Sequence, residues 1–331
     1  MYCSTDYLYI TARVRSLERS LLNRERMERM LEARSDEDAS KVLAECGYGD
    51  VSVASADDLE QVLSEGRGNM FSFLKHVVPN RTLLDVFRLK YDYHNLKAIL
   101  KSEAKALDAE VLMIDSGRVR LKSMIEMIQQ DDTRDLPKIM RAAAIEARDV
   151  LARTGDPQLS DMILDQAFFS EMREMAALSE SEFLQGYVKL MIDVTNLRSL
   201  VRAVRIGRGI DFLRALMVKG GKFDTGRLIS LAVSDASLYD FYYKSPLEEA
   251  AAAGEPAMRG ETPLTAFERL CDEALVKYLK RSKLVAFGDQ PLIAYLAAKE
   301  AEAVSIRTIM SGRKAGVSHE VIRERLREAY V

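Results

Sequence analysis

A short pattern occurs three times along this chain, and it limits the possible folds more than any other feature. It reads Asp92-x-x-Asn95-Leu96-Lys97-x-Ile99-Leu100, then Asp193-x-x-Asn196-Leu197-Arg198-x-Leu200-Val201. A degenerate third copy is Glu302-x-x-Ser305-Ile306-Arg307-x-Ile309-Met310. The copies are separated by roughly 100 residues, the mark of one structural unit repeated. Three such units imply near threefold symmetry, and a chain built that way points to assembly rather than to chemistry.

The spacing within each copy selects the helix. An acid and an amide or hydroxyl three residues apart share one helical face, and the apolar residues behind them form the adjacent stripe. The rest of the chain agrees. Ala, Leu, Glu, Arg, Lys and Met, which lose little side-chain entropy in a helix, dominate, while 17 Gly and 7 Pro are few for 331 residues. The fold class expected is all-α.

Each copy is followed by the same sequence of events: the helix ends, a glycine-containing turn with basic residues follows, and a shorter amphipathic helix comes next. The three turns are Ser116-Gly117-Arg118, Lys219-Gly220-Gly221-Lys222 and Gly312-Arg313-Lys314-Ala315-Gly316. The units expected are residues 1–130, 131–235 and 236–331. A helix from Thr82 to about Ala106, roughly 37 Å long at 1.5 Å per residue, carries the first copy. Ser179 with Glu182 resembles a capping box opening a helix to about Arg208 that carries the second. The third lies on a helix from Leu292 to Ser311.

Elsewhere, Ser4 or Thr5 caps a first helical segment whose stripe is Ile10, Val14, Leu17 and Leu21, continued at Met27, Met30 and Leu31. Ser35 and Asp38 open a short helix ending at Gly47, and Asp57–Glu65 is read as another, closed by Gly66 and Gly68. The stretch 250–262, with its Ala-Ala-Ala-Ala-Gly-Glu-Pro run, is expected to be an exposed loop. Thr262-Pro263 and Ser318 each start a later helix.

Several classes of function are disfavoured. The net charge of -3 lacks the basic excess of a nucleic-acid binder. Three cysteines, Cys3, Cys46 and Cys271, are odd in number and far apart, which fits neither a disulfide framework nor a zinc site. Residues 1–6 have no signal-peptide character, and no apolar run reaches the length of a membrane span. Any membrane association is therefore expected to pass through a partner.

Acid, His and Asn in Asp92-Tyr93-His94-Asn95 could be ligands or a general base. The equivalents of His94 are Thr195 and Val304, so the copies do not share it, and a surface histidine is the expectation. Lys219-Gly220-Gly221-Lys222-Phe223 has the look of a phosphate loop, but Phe223 stands where a Walker loop needs Ser or Thr, and Leu216 where it needs Gly. Arg205-Ile206-Gly207-Arg208-Gly209 lacks the strand of a dinucleotide fingerprint. No catalytic residue, cofactor or metal is expected.

At Leu89-Lys90-Tyr91-Asp92-Tyr93-His94-Asn95-Leu96-Lys97 the chain resembles the C/d (AC39-type) subunit of vacuolar-type and archaeal-type rotary ATPases. Ala12-Arg13-Val14-Arg15 within Tyr7–Leu22, and the run from Phe287 through Gly288-Asp289-Gln290-Pro291 to Glu302, are similar too. The resemblance covers the chain from about residue 5 onward. Ala303-Val304-Ser305-Ile306-Arg307 departs from it by being more apolar than the Asn-Leu-Arg type.

The resemblance implies a funnel of three similar helical domains with pseudo-threefold symmetry. It implies a non-catalytic adaptor, one copy per complex, between the rotating central shaft (D- and F-type subunits) and the membrane proteolipid ring. The subunit would be peripheral, on the cytoplasmic face. Asp92, Asn95, Lys97, Asp193, Asn196, Arg198, Glu302 and Arg307 are then the candidate lining of a socket for the shaft. The basic turn residues Arg118, Lys219, Lys222, Arg313 and Lys314 form a second tier. The rival is a closed or solenoid-like helical scaffold for another protein. Contact between residues 1–33 and the final helix would favour closure over an open array.

Overall fold

The computed structural model describes residues 2–49, 55–105, 109, 112–234 and 236–331. Among these every regular element is a helix. The chain divides into two compact units. One comprises Asn80–Asn196 and Ile210–Gly226, the other Met1–Pro79, Leu197–Gly209 and Arg227–Val331. Both draw on more than one of the sequence repeats, and one division falls inside the helix that carries the second pattern.

The three pattern helices are Thr82–Lys105, Glu182–Arg205 and Asp289–Lys314. The first is started by Asn80, whose Oδ1 accepts from the Thr82 amide at 3.1 Å while its Nδ2 donates to the Ser179 carbonyl at 3.0 Å. The second is capped by Ser181, whose hydroxyl accepts from the Leu184 amide at 3.1 Å. Ser179, read from the sequence as that cap, instead accepts from the Ser181 amide. Two serines two residues apart offer competing caps, and the one adjacent to the first helical residue has the right reach.

In the unit containing Asn80–Asn196, the first pattern helix packs against Pro157–Leu178 and Lys138–Thr154. These last two join through Gly155, at φ 65°, and Asp156, whose carboxylate caps the Gln158 amide at 2.8 Å. Left-handed backbone there lets one helix end and the next begin without a longer loop.

In the other unit, Leu8–Glu18 and Arg24–Leu31 are separate helices, not one long stripe. Asn23 makes the break, its side chain accepting from the Arg26 amide at 2.9 Å. Asp36–Glu45 follows Ser35 as expected and ends at Gly47, at φ 83°, with the Tyr48 amide on the Leu43 carbonyl at 3.1 Å. Leu22, Met30, Leu31, Leu43, Leu59 and Leu63 share one core with Ala303, Ile306, Ile309 and Met310 of the third pattern helix.

Two readings are corrected. The Ala56–Val77 helix runs through Gly66 and Gly68 instead of ending there. An interior glycine costs about 1 kcal/mol relative to alanine, which the buried stripe Leu59, Val62, Leu63, Phe71 and Leu74 outweighs. Of residues 250–262, expected as an exposed loop, only 259–262 are an exposed turn; Glu248–Met258 is a helix with Ala250, Ala251, Gly254 and Ala257 buried. Small side chains let it lie close to Leu264–Lys280. A Cβ on Gly254 would meet the Phe267 ring at 3.0 Å and Val201 Cγ2 at 3.3 Å. Smaller shifts occur at ends: the second pattern helix stops at Arg205, Gly312 is still helical, and the helix after Thr262-Pro263 starts at Leu264.

Candidate functional site

The acid and amide of the first two copies are buried, and each reaches the turn that follows its own helix. Asn95 and Ile114 exchange two hydrogen bonds, Nδ2 to the carbonyl at 2.9 Å and amide to Oδ1 at 2.8 Å. Asn196 and Val218 repeat this, both at 2.8 Å. The side-chain amide thus pairs with the turn backbone as a second strand would, satisfying a buried N–H and C=O together. The acids lie one turn earlier. Asp92 accepts from the Val119 amide at 3.0 Å and from Arg118 Nε at 2.7 Å. Asp193 accepts from the Lys222 and Phe223 amides at 2.9 and 3.2 Å.

The turn glycines are required by these acids. A Cβ on Gly117 would fall within 3.0 Å of Asp92 Oδ1, and one on Gly221 within 3.0 Å of Asp193 Oδ1. Space for a carboxylate, not a left-handed backbone, is what excludes a side chain at both. Burial pushes the carboxyl of Asp92 up, opposed by Arg118 and the Val119 amide. Burial likewise raises Asp193, opposed by the Lys222 and Phe223 amides.

The third copy has an acid at the same position, Glu302, but a different destination. Glu302 is 4% exposed and accepts from the Leu22 amide at 2.6 Å and the Tyr48 hydroxyl at 2.7 Å, with Lys299 also on its carboxylate. It therefore ties segments near the start of the chain. Ser305 turns back to the Ala301 carbonyl at 3.2 Å, so the amide clamp of the other copies is absent here.

The basic position of the pattern does something else again. Lys97 pairs with Asp165 at 2.6 Å. Arg198 pairs with Glu268 at 2.8 Å and Asp272 at 2.7 Å. Arg307 pairs with Glu60, its Nη2 at 2.7 Å. Asp165, Glu268 and Glu60 lie on Pro157–Leu178, Leu264–Lys280 and Ala56–Val77, in each case the long helix that precedes a pattern helix in the chain. Lys97 thus pairs with the helix preceding the second pattern helix, Arg198 with the one preceding the third, and Arg307 with the one preceding the first. Asp272 also takes Arg327 at 2.7 Å, and Glu268 takes Arg202 at 2.6 Å, so the second link is an alternating chain of charges.

Chain start and chain end meet in the same compact unit. Arg323 holds Glu28 at 2.8 Å, and the Tyr330 hydroxyl donates to Glu18 at 3.0 Å beside Ser282 Oγ at 2.8 Å. Arg15 grips Glu18 at 2.9 Å and donates to the Ser282 and Val285 carbonyls at 2.7 and 3.1 Å.

The second-tier residues divide. Arg118 bridges Asp92 and Glu171, the latter at 2.7 Å, and Arg313 donates to the Leu31 carbonyl at 2.8 Å and to Asp36 at 3.2 Å. Lys219, Lys222 and Lys314 are exposed. His94 is exposed, with Nε2 2.9 Å from the Leu112 carbonyl. Cys46 and Cys271 are buried, which pushes each thiol up to about 12 and makes both poor nucleophiles at neutral pH. Among the described residues no group of three or more His, Cys, Asp or Glu is placed to hold a metal, and no helix is long and apolar enough to cross a membrane.

The sequence reading did not reach Asn80, Glu171, Tyr48, Glu18 or Tyr330. Their partners are backbone groups or single side chains far away in sequence, with no periodic signature. The acids opposite the pattern's bases did leave one: Asp165 and Glu268 follow Lys97 and Arg198 by 68 and 70 residues.

The model of the ATP synthase (C/AC39) subunit family matches residues 10–325, which takes in all three copies, their turns and the links between them. The chain belongs to that family. It is 25% identical over 328 residues to the C subunit of the V-type sodium ATPase of Enterococcus hirae, covering 98% of this chain and 99% of that one. It is 24% identical to the C subunit of the A-type ATP synthase of Thermococcus kodakarensis, over 97% of this chain and 90% of the relative. It is also 24% identical to the C subunit of the V-type ATP synthase of Thermus thermophilus, over 96% and 98%.

Proposed function

We propose that this chain is the C-type subunit of a V/A-type rotary ATPase and serves as a non-catalytic adaptor of its rotor. In this reading it joins the D- and F-type shaft subunits to the membrane proteolipid ring, one copy per complex, on the cytoplasmic face. It takes part in ion transport or ATP synthesis without handling ATP. The family match from residue 10 to residue 325 carries the proposal.

The physical features suit that role. An adaptor has to pass torque from one face to the other without yielding. The first two pattern helices are fixed to their turns by reciprocal hydrogen bonds, and all three are tied to other helices by ion pairs. Such networks tolerate load because each polar group has its partner in place and resists leaving it.

The three-domain funnel with units 1–130, 131–235 and 236–331 belongs to the same proposal. So does the shaft socket, in a narrower form. Asp92, Asn95, Asp193, Asn196 and Glu302 are engaged inside the protein, so shaft contact falls to exposed bases such as Lys219, Lys222 and Lys314. Rim charges of this kind govern association rate and register more than affinity. An open solenoid scaffold is disfavoured by the Arg323–Glu28 and Arg307–Glu60 contacts, which join chain end to chain start.

The test is purification of the tagged chain from detergent-solubilised membranes, with mass spectrometry of what accompanies it. Shaft and proteolipid subunits are expected. Their absence from a preparation that retains the catalytic subunits would overturn the reading. Reversing Lys219 and Lys222 to Glu should slow association with purified shaft subunits several-fold at low salt and little at high salt.

A further inference from the structure

Among the described residues, Leu284 is the most exposed large apolar side chain, at 90%. It ends the short 3-10 turn Arg281–Leu284, and Phe287, 41% exposed, follows it. This segment lies against the first helix. Thr11 Oγ1 donates to the Gly288 carbonyl at 3.2 Å, and Arg15 holds the Ser282 and Val285 carbonyls. Leu8, on the Thr11–Arg15 stripe one turn earlier, is 50% exposed, and its neighbour Tyr9 is 60% exposed. Leu8, Tyr9, Leu284 and Phe287 thus lie along one edge of one compact unit.

Solvent exposure of this much apolar surface marks a contact site, and the charges beside it indicate what kind. Arg281 and Lys283 are both exposed. Their cationic heads stack on Tyr278 at 5.2 Å and Tyr330 at 5.0 Å, and neither pairs with a described carboxylate. Of the nearby carboxylates, Glu18 is engaged by Arg15 and Tyr330, Glu328 by Lys280 and Asp6 by the Cys3 amide, while half-buried Asp289, two residues beyond Phe287, lies beside Tyr7. The edge therefore offers apolar tips, a tyrosine and two uncommitted cations on a chain whose net charge is -3. Apolar wedges, amphipathic aromatic rings and basic groups are the combination that settles at a lipid headgroup layer.

We propose that the edge formed by Leu8, Tyr9, Arg281, Lys283, Leu284 and Phe287 is a contact surface for an anionic bilayer. The inference rests on the rotor-adaptor reading only in that the reading brings the chain to a membrane. Leu284 and Phe287 enter the headgroup region while Arg281 and Lys283 meet lipid phosphates. The fixed backbone of residues 282–288, held by Arg15 and Thr11, presents them without ordering a loop on contact. The contact is weak by itself and adds to attachment made through protein subunits, as a second signal does for peripheral proteins.

The purified full-length chain is mixed with vesicles of phosphatidylcholine alone, or of phosphatidylcholine with phosphatidylglycerol, and sedimented. Binding to the anionic vesicles only, weakened by salt, is expected. Arg281→Gln with Lys283→Gln should lower the partition coefficient by roughly thirty-fold, two charges at an anionic surface. Leu284→Ser with Phe287→Ser should lower it also in low salt. All four side chains are at the surface, and thermal unfolding by circular dichroism checks that each variant keeps its fold. No sedimentation of the unsubstituted chain with anionic vesicles overturns the proposal, as does binding unchanged in both double variants. If the variants lose other subunits on purification but the chain binds no vesicles, the edge is a protein interface and the proposal is wrong. Failure here leaves co-purification with shaft and proteolipid subunits untouched, so the two readings fail separately.

Discussion

Asn196 and Val218 exchange two hydrogen bonds of 2.8 Å, and 101 residues earlier in the pattern Asn95 does the same with Ile114. A side-chain amide that closes both backbone groups of one turn residue leaves no tolerance for substitution. Asn196→Leu keeps the volume but strands the Val218 N–H and C=O. Each stranded group costs about 1–3 kcal/mol. Urea unfolding should show a loss of at least about 2 kcal/mol with little change in slope.

Glycine substitutions separate by what surrounds them. Gly117→Ala and Gly221→Ala push a methyl into the carboxylates of Asp92 and Asp193, and each should destabilise by about 1–3 kcal/mol. Gly68→Ala, on the exposed face of Ala56–Val77 with nothing near its Cβ, should stabilise by about 0.5–1 kcal/mol. Thermal melts of the three variants check the order.

Asp193 sets a pH dependence of definite sign. Its carboxyl is held above the ordinary value of 3.8 by burial, so the folded chain binds that proton more tightly than the unfolded chain does. Its contribution to stability is full below the ordinary aspartate value and falls as pH rises through the raised one. The unfolding free energy of the natural chain minus that of Asp193→Asn should therefore decline as pH rises from about 4, then level off. Denaturant titrations across that range measure it, and a difference growing with pH would contradict the assignment.

The links between copies should be unequal. Glu60 is about half exposed in its pair with Arg307, so Arg307→Ala should cost less than about 1 kcal/mol. Arg198 serves two carboxylates whose side chains are 23% and 14% exposed. Removing it leaves each acid with one remaining arginine, Arg327 on Asp272 and Arg202 on Glu268, and Arg198→Ala should cost about 1.5–3 kcal/mol. A double-mutant cycle with Asp272→Ala isolates the coupling.

Tyr330→Phe tests the join between Leu8–Glu18 and the irregular segment after His319–Arg325. It removes the hydroxyl from Glu18 and Ser282 while keeping the ring under Lys283. A loss of about 1–2 kcal/mol is expected, with faster amide exchange confined to Leu8–Glu18 and the segment around Ser282.

Much of the helical layout was legible because its signals are local. Ser35 and Ser318 cap where their sequence says, and the pattern helices begin and end within a few residues of expectation. Where signals conflict, reading fails for identifiable reasons. Gly66 and Gly68 look like stops, but a buried stripe on both sides carries the helix through. Alanines 250–253 have no polar alternation to show a face, so only the Phe267 ring across the contact reveals which side is inside.

The pattern itself was legible; its use was not. Spacing puts Asp193 and Asn196 on one face, but what they bind is the backbone of residues 218–223, and a peptide group has no side-chain signature. Glu302 looks like a third copy of Asp193, yet its partners are Leu22 and Tyr48, some 250 residues or more away. Only the copies' bases, each answered by an acid near 70 residues onward in the first two cases, left a trace that sequence comparison within the chain could follow.

The core shared by Leu22–Leu63 with Ala303–Ile322 has a consequence for biosynthesis. The helices that carry Leu31, Leu43 and Leu63 cannot bury them fully until the third pattern helix has been made. The opening segment must therefore wait, with apolar stripes uncovered, through most of translation, and contacts of such wide separation form late and slowly. Nascent chains halted before residue 300 should be bound by holding chaperones at residues 22–63, and release should coincide with emergence of Ile306 and Met310. The core around Leu31, Leu43 and Leu63 is thus decided only when the third pattern helix arrives.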